Sequence, residues 1–226
     1  MAAGLVPREL RQSRWGWCEL GKLALGELMG GTTSQELKWA RSLPAVRQEN
    51  FLRSRFLVRQ WLAHWLGCKP MAVPLTAPPG QAPHLGEEWG TVSWSHSGQR
   101  LLLGWSPQAV GVDLERANRP LAAQALLQRF FPLQEQQQLS CLSASELQGA
   151  VLRSWVAKEA LIKQRRSSIS LELGHWWMES KQPRAMHLPT GVWWPVQVHC
   201  LSFGAEQWFL GWSGDNSPSL EYLDCS

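Results

Sequence analysis

Two short stretches of this chain carry residue types whose spacing could do chemistry. In Gly111-Val112-Asp113-Leu114-Glu115 the alternation of an extended strand puts Asp113 and Glu115 on one face, about 7 Å apart, with Val112 and Leu114 on the other. Carboxylates side by side repel unless a cation lies between them. Mg²⁺ prefers oxygen ligands and is commonly held by one or two carboxylates together with phosphate oxygens. Two acids at a sheet edge would leave the same pattern. In the second stretch, neither Gly nor Pro interrupts Ala150 to Arg166, which predicts a helix capped by Ser143 or Ser145. Trp155, Glu159 and Lys163 recur at i, i+4 and i+8 and share one face, flanked by Leu152, Val156 and Ile162 as apolar anchors. On their own, Glu159 and Lys163 read either as a helix-surface ion pair or as half of a site.

Two further segments could bind an anion. Residues 45–66 form a predicted helix on which Arg47, Arg55 and Arg59 lie close to one stripe, with Arg53 off it. Such a stripe is a solvated basic face or a phosphate clamp, since the guanidinium fork matches phosphate oxygens. Ser95-His96-Ser97-Gly98 is a predicted turn joining strands Thr91–Ser95 and Arg100–Trp105. Its hydroxyls and imidazole either meet an anion or face solvent.

The remaining elements must position these groups. A short strand and turn are predicted within Trp15–Leu28, and a helix over Thr32–Ala40 with Thr33 or Ser34 at its cap. The Pro- and Gly-rich residues 67–90 form a loop. Helices are expected over Leu121–Phe131 and Leu133–Leu142, and a strand over Ser168–Leu173. Gly174–Pro189 reads as a loop or the tip of a hairpin. Val192–Cys200 and Gln207–Trp212 make an antiparallel pair turning near Gly204, and Asp215–Ser226 reads as a tail.

With 226 residues, 44 % apolar and 18 % charged, the chain suits one large or two small globular domains. A net charge of +4 fits an anionic ligand or an acidic protein partner but is too small to argue for DNA. The fifteen Trp lie mostly in apolar runs and are expected in the core, not on a base-stacking surface. Five scattered Cys with no C-x-x-C pair point to neither a zinc site nor a disulfide framework, and so to a reducing cytoplasm. Met1–Glu9 lacks a signal-peptide core, and no apolar run is long enough to cross a bilayer.

Taken in order, Trp-Ser-His-Ser-Gly (94–98), Gly-Val-Asp-Leu-Glu (111–115) and Trp-Val-Ala-Lys-Glu-Ala-Leu-Ile-Lys (155–163), with Phe130-Phe131 and Glu135 between, closely resemble the 4′-phosphopantetheinyl transferase superfamily. The likeness is to its larger two-lobed members and takes in the Arg-bearing helix. It implies an α+β fold: a pseudo-two-fold pair of similar lobes, each a small, mostly antiparallel sheet packed with helices. The lobes would be residues 1–110 and 111–226, with the active site in the cleft between them. It implies transfer of the phosphopantetheine arm of coenzyme A to a serine of an acyl or peptidyl carrier protein, with release of adenosine 3′,5′-bisphosphate.

In that reaction Asp113, Glu115 and Glu159 would hold Mg²⁺, or Mn²⁺. Lys163, with Lys158, would neutralise phosphate oxygens. Glu159, Glu135 or a metal-bound water would take the serine proton, Glu159 being favoured. Arg55, Arg59, Ser95 and His96 would bind coenzyme A. Members often carry Gly-Lys-Pro before the Ser-His-Ser turn, near the adenine nucleotide; here Gly80-Gln81-Ala82-Pro83 stands instead, without the lysine. A cytoplasmic monomer is expected, acting as a pseudo-dimer on carrier protein and coenzyme A, with neither nucleic acid nor membrane as partner. Competing readings are another Mg²⁺-dependent phosphoryl-transfer or pyrophosphate-hydrolysing enzyme, a nucleic-acid-binding module using Arg and Trp, and a non-catalytic binder of carrier proteins.

Overall fold

The computed structural model describes residues 12–21, 25–179, 182–215 and 218–223. The readings of Met1–Glu9 and Cys225 lie outside the described residues. In chain order the elements are β1 (Arg14–Glu19), α1 (Leu25–Gly30), α2 (Ser34–Arg41), α3 (Ala45–Leu66), β2 (Thr91–Ser97), β3 (Arg100–Ser106), β4 (Gly111–Arg116), α4 (Ala123–Phe130), α5 (Leu133–Leu139), α6 (Ala144–Gln164), α7 (Ile169–Glu172), β5 (Trp176–Met178), β6 (Arg184–His187), β7 (Val192–Pro195), β8 (Gln197–Phe203), β9 (Glu206–Ser213) and β10 (Leu220–Tyr222). The mixed α and β content with small sheets agrees with the α+β expectation.

Three sheets form, in strand orders β10-β1-β3-β2, β4-β9-β8 and β5-β6-β7. Every pairing is antiparallel except β1 with β10. Helix α3 lays Leu57, Val58, Leu62 and Leu66 against Leu101, Leu103 and Trp105 of β3. The opposite face of that sheet contributes Trp15 and Leu102 to a second core with Val112, Leu114, Leu210 and Trp212. Helix α6 presses Ala157, Ala160 and Leu161 onto Trp176, Ala185 and Val196. None of the fifteen Trp is among the exposed large side chains, as their apolar neighbours predicted.

The predicted helices hold closely, while α1 stands where only a strand and a turn were expected. Thr33 caps α2 in a reciprocal capping box with Glu36, and Ser143 N–H donates to Glu146 at the start of α6 (2.9 Å). Four strand readings change. Strand β2 runs through Ser97, so Ser95, His96 and Ser97 are strand residues, and the turn is confined to Gly98-Gln99, with Gly98 at φ +57°. The predicted strand Ser168–Leu173 is instead the short helix α7, closed by Leu171 and Glu172 N–H bonds to the Ser168 carbonyl. Val192–Cys200 breaks at Pro195, which lacks the N–H a continuous ladder needs, and β7 and β8 enter different sheets. The expected tail holds β10, which pairs with β1 from Trp15↔Leu220 to Trp17↔Tyr222.

Candidate active site

The site is built on a seam between β2 and β4, which belong to different sheets yet lie side by side. From Ser93 onward every second residue of β2 is a serine, and each bonds across the seam. Val112 N–H donates to Ser93 Oγ (3.1 Å), Ser95 Oγ donates to Asp113 Oδ1 (2.7 Å), and Ser97 Oγ donates to Glu115 Oε2 (2.9 Å). The period of two that aligns these serines also turns Asp113 and Glu115 to one side of β4, while Val112 and Leu114 enter the core.

Helix α6 supplies the other side. Lys163 Nζ donates to Asp113 Oδ1 at 2.6 Å and lies 3.6 Å from Glu159 Oε2. Trp155 Nε1 donates to the other Glu159 oxygen, so Trp155 both packs beneath the helix and orients the carboxylate. The i, i+4, i+8 face is thus one connected array.

Asp113 is 2 % exposed, and its Oδ2 is buried with no hydrogen-bond partner. Burial, then the Asp113 charge, push the Glu159 carboxyl up to about 7, against the pull of Lys163 and the Trp155 indole. Burial also raises Glu115, opposed by Ser97 and by Arg119, with which it forms an ion pair. Burial would lower the Lys163 ammonium, but Asp113 and Glu159 outweigh it and hold it above its usual value. These shifts describe three acids crowded around one lysine.

Among the described residues, no three His, Cys, Asp or Glu side chains are gathered closely enough to hold a metal ion as they stand. The donor chemistry nonetheless fits a hard divalent cation: Asp113, Glu115 and Glu159 offer only oxygens, and Asp113 Oδ2 is an orphaned buried acceptor.

A cavity of about 400 Å³ adjoins the array, lined by Arg55, Gly80, Gln81, Trp94, Lys163 and Arg166 among others, and by no Asp or Glu. Its walls come from both numbered halves of the chain. Arg55 is held between Phe51 and Trp94, with its guanidinium carbon 4.3 and 4.7 Å from the ring centres. Its Nε and Nη2 donate to the Ala77 carbonyl (3.2 and 2.9 Å), and burial lowers its pKa to about 10, against the opposing charge of Glu36. His96 is held below its usual value, first by lost hydration and then by the charges of Lys163 and Arg55.

The remaining expected residues are placed differently. Arg59 is 1 % exposed, paired with Glu36 (2.7 Å) and donating to the Val73 carbonyl (2.8 Å). It lies in the core and does not line the cavity that Arg55 reaches. Lys158 is fully buried, 2.7 Å from Glu135 Oε2 and 3.6 Å from the Phe131 ring centre, with burial lowering its pKa to about 8. Glu135 also accepts from Ser154. Lys158 and Glu135 therefore fasten α6 to α5, and neither lines the cavity that Lys163 reaches. Ser95 is engaged by Asp113 instead of standing free for a phosphate. Ser97 and Arg119, unassigned from sequence, are the direct partners of Glu115. Their signal was faint: the serine alternation of β2 and the i+4 spacing from Glu115.

The model of a family described as the 4′-phosphopantetheinyl transferase superfamily matches residues 109–192 of this chain. The chain is 33 % identical over 127 residues to a Synechocystis sp. protein named "Putative 4'-phosphopantetheinyl transferase", a stretch covering 54 % of this chain and 52 % of the relative. The chain thus spans about half the length of that curated relative. The resemblance read from the motifs is borne out across the matched residues, which hold Asp113, Glu115, Glu135, Lys158, Glu159 and Lys163. Arg55, Arg59, Ser95 and His96 lie outside that segment.

Proposed function

We propose that the chain is a 4′-phosphopantetheinyl transferase, moving the phosphopantetheine arm of coenzyme A onto a serine of an acyl or peptidyl carrier protein. The observation that carries this reading is Lys163. It lies in the segment that matches the family model, lines a cavity without acids, and is bonded to the buried Asp113. One side chain thus joins an anion-binding cavity to a carboxylate cluster, as a pyrophosphate substrate requires.

In the reaction the serine Oγ attacks the β-phosphorus of coenzyme A. A new P–O bond forms, the bond to the bridging oxygen breaks, and adenosine 3′,5′-bisphosphate leaves with that oxygen. Negative charge gathers on phosphoryl oxygens, so positioning and cationic stabilisation do most of the work. Lys163 and Arg55 supply fixed positive charge along the cavity, with His96 as a further phosphate contact. Glu159 takes the serine proton, directly or through water; Trp155 holds one of its oxygens. Glu135 is engaged by Lys158 and Ser154, which favours Glu159 for this role. Asp113, Glu115 and Glu159 would hold Mg²⁺ or Mn²⁺, which when bound acts as a Lewis acid on the phosphoryl oxygens.

The two-lobed arrangement, with residues 1–110 and 111–226 as halves and the site between them, belongs to this reading, as does a cytoplasmic monomer. A cavity wall drawn from both halves supports it. The test is incubation with coenzyme A, Mg²⁺ and unmodified carrier proteins of fatty-acid, polyketide and peptide synthesis. The expected result is a mass gain of one phosphopantetheine group at a single serine. No gain on any carrier would overturn the reading.

A further inference from the structure

Helix α6 ends in a paired set of backbone bonds: Ser167 N–H to the Ile162 carbonyl (3.1 Å) and Arg166 N–H to the Lys163 carbonyl (3.0 Å). This closure requires the residue after the cap to adopt a left-handed conformation, a position that strongly favours glycine. Here it is Arg166, at φ +56°, alone among the described non-glycine residues in having positive φ. A long, charged side chain at a position that favours glycine is disfavoured by the backbone.

What the arginine gains is a place in the cavity. Arg166 lines the cavity that also holds Arg55 and Lys163. Its neighbour Arg165 turns the other way, to Glu172 (3.1 Å) and the rings of Trp176 and Trp194. Among the described residues no acid pairs with the Arg166 guanidinium, and the residue is exposed. The wall contributed by residues 78–83 carries Gln81 but no cation. Lys163 is already engaged at the carboxylate cluster, where the pyrophosphate belongs on the transferase reading. Arg166 stands nearly one helical turn further along the chain.

We propose that Arg166 is a specificity-determining residue: its guanidinium binds the phosphate monoester at the nucleotide end of coenzyme A, supplying the charge that Gly80–Pro83 lacks. The inference rests on the transferase reading for the identity of the ligand. The guanidinium fork suits a terminal phosphate dianion, and an acid-free wall leaves it uncompensated until such a group arrives.

The experiment is calorimetric titration of coenzyme A and of 3′-dephospho-coenzyme A, with Mg²⁺ present, into the wild type, Arg166→Gly and Arg166→Lys. Glycine relieves the backbone, so Arg166→Gly is expected to keep the fold and raise Tm by about 2–4 °C. It is expected to weaken coenzyme A binding by about 10- to 100-fold, the worth of a charge-assisted contact. Binding of the dephospho compound is expected to stay within about threefold of the wild type. Arg166→Lys recovers part of the coenzyme A affinity. Wild-type affinity for coenzyme A in Arg166→Gly, or equal loss for both ligands, would overturn the proposal. Wild-type protein that binds neither compound would overturn the coenzyme A reading itself, a result distinct from either.

Discussion

Lys163 Nζ and Asp113 Oδ1 meet at 2.6 Å although fifty residues separate them in the chain. Their meeting depends on how closely α6 lies against β4. At Gly111, two residues before Asp113, a Cβ would stand 1.8 Å from the Ala160 carbonyl oxygen and 2.4 Å from the Gln164 nitrogen. The absence of a side chain there lets the helix backbone rest on the strand and brings Lys163 within reach of the carboxylate.

Gly111→Ala must therefore push α6 away from β4. The expected cost is about 1–3 kcal/mol of stability, as for overpacked cores. Transfer activity should fall further than the loss of folded protein explains. Thermal unfolding measured beside specific activity checks this. An unchanged Tm with full activity would contradict the close-contact account.

The serine seam predicts a separable effect on metal binding. Ser95→Ala and Ser97→Ala each remove a hydroxyl that holds a carboxylate, while the strand ladder to β3 remains. Groups that orient metal ligands commonly contribute about 10- to 100-fold in affinity. The half-saturating Mg²⁺ concentration should rise accordingly, with kcat at saturating Mg²⁺ changing much less. Equal loss of kcat at all Mg²⁺ concentrations would place these serines elsewhere in the mechanism.

Arg55 and Arg59 should separate cleanly. Glu36→Ala strips the buried partner from Arg59 and is expected to cost about 3–5 kcal/mol, as when one member of a buried pair is removed. The surviving folded protein should keep its KM for coenzyme A. Arg55→Met should do the reverse, raising that KM with a smaller change in Tm. Chemical denaturation and steady-state kinetics on both variants decide it; a raised KM in Glu36→Ala at full folding would return Arg59 to the binding site.

This pair shows where the sequence is informative and where it is not. Arg55 and Arg59 are one turn apart on the same helix and carry the same charge. Arg55 reaches a cavity between two aromatic rings, whereas Arg59 meets Glu36 in the core, a partner 23 residues earlier. Spacing within one helix cannot report an acid contributed by another. The pairing of Lys158 with Glu135 was illegible for the same reason, since it joins residues of α6 and α5. Period-bound features were legible. The alternation that puts Asp113 and Glu115 opposite Val112 and Leu114 held, as did the four-residue spacing of Trp155, Glu159 and Lys163. The seam was not legible, because β2 and β4 are joined through side chains and not by a backbone ladder that hairpin spacing would betray.

His187 provides a pH signature. It is 4 % exposed, and its Nε2 is buried without a hydrogen-bond partner, while Nδ1 meets Thr190 (2.9 Å). Burial, then the charges of Arg165 and His175, outweigh Glu172 and hold its pKa below 6.5. The neutral ring is thus favoured in the fold. Its contribution is fully present above about pH 6.5 and is lost as pH falls, because the unfolded chain binds the proton first. Between pH 7 and 5, Tm should fall more steeply in the wild type than in His187→Asn. Parallel curves would refute the assignment.

The most direct test of the central claim is transfer measured on Asp113→Asn beside the wild type, with coenzyme A, Mg²⁺ and an unmodified carrier protein. The wild type is expected to load one phosphopantetheine group per carrier and release one equivalent of adenosine 3′,5′-bisphosphate. Asp113→Asn is expected to stay folded and lose at least about 100-fold in rate, the scale of removing a preorganised electrostatic group. Near-normal transfer by Asp113→Asn, or release of the bisphosphate without any gain of mass on the carrier, would contradict the account.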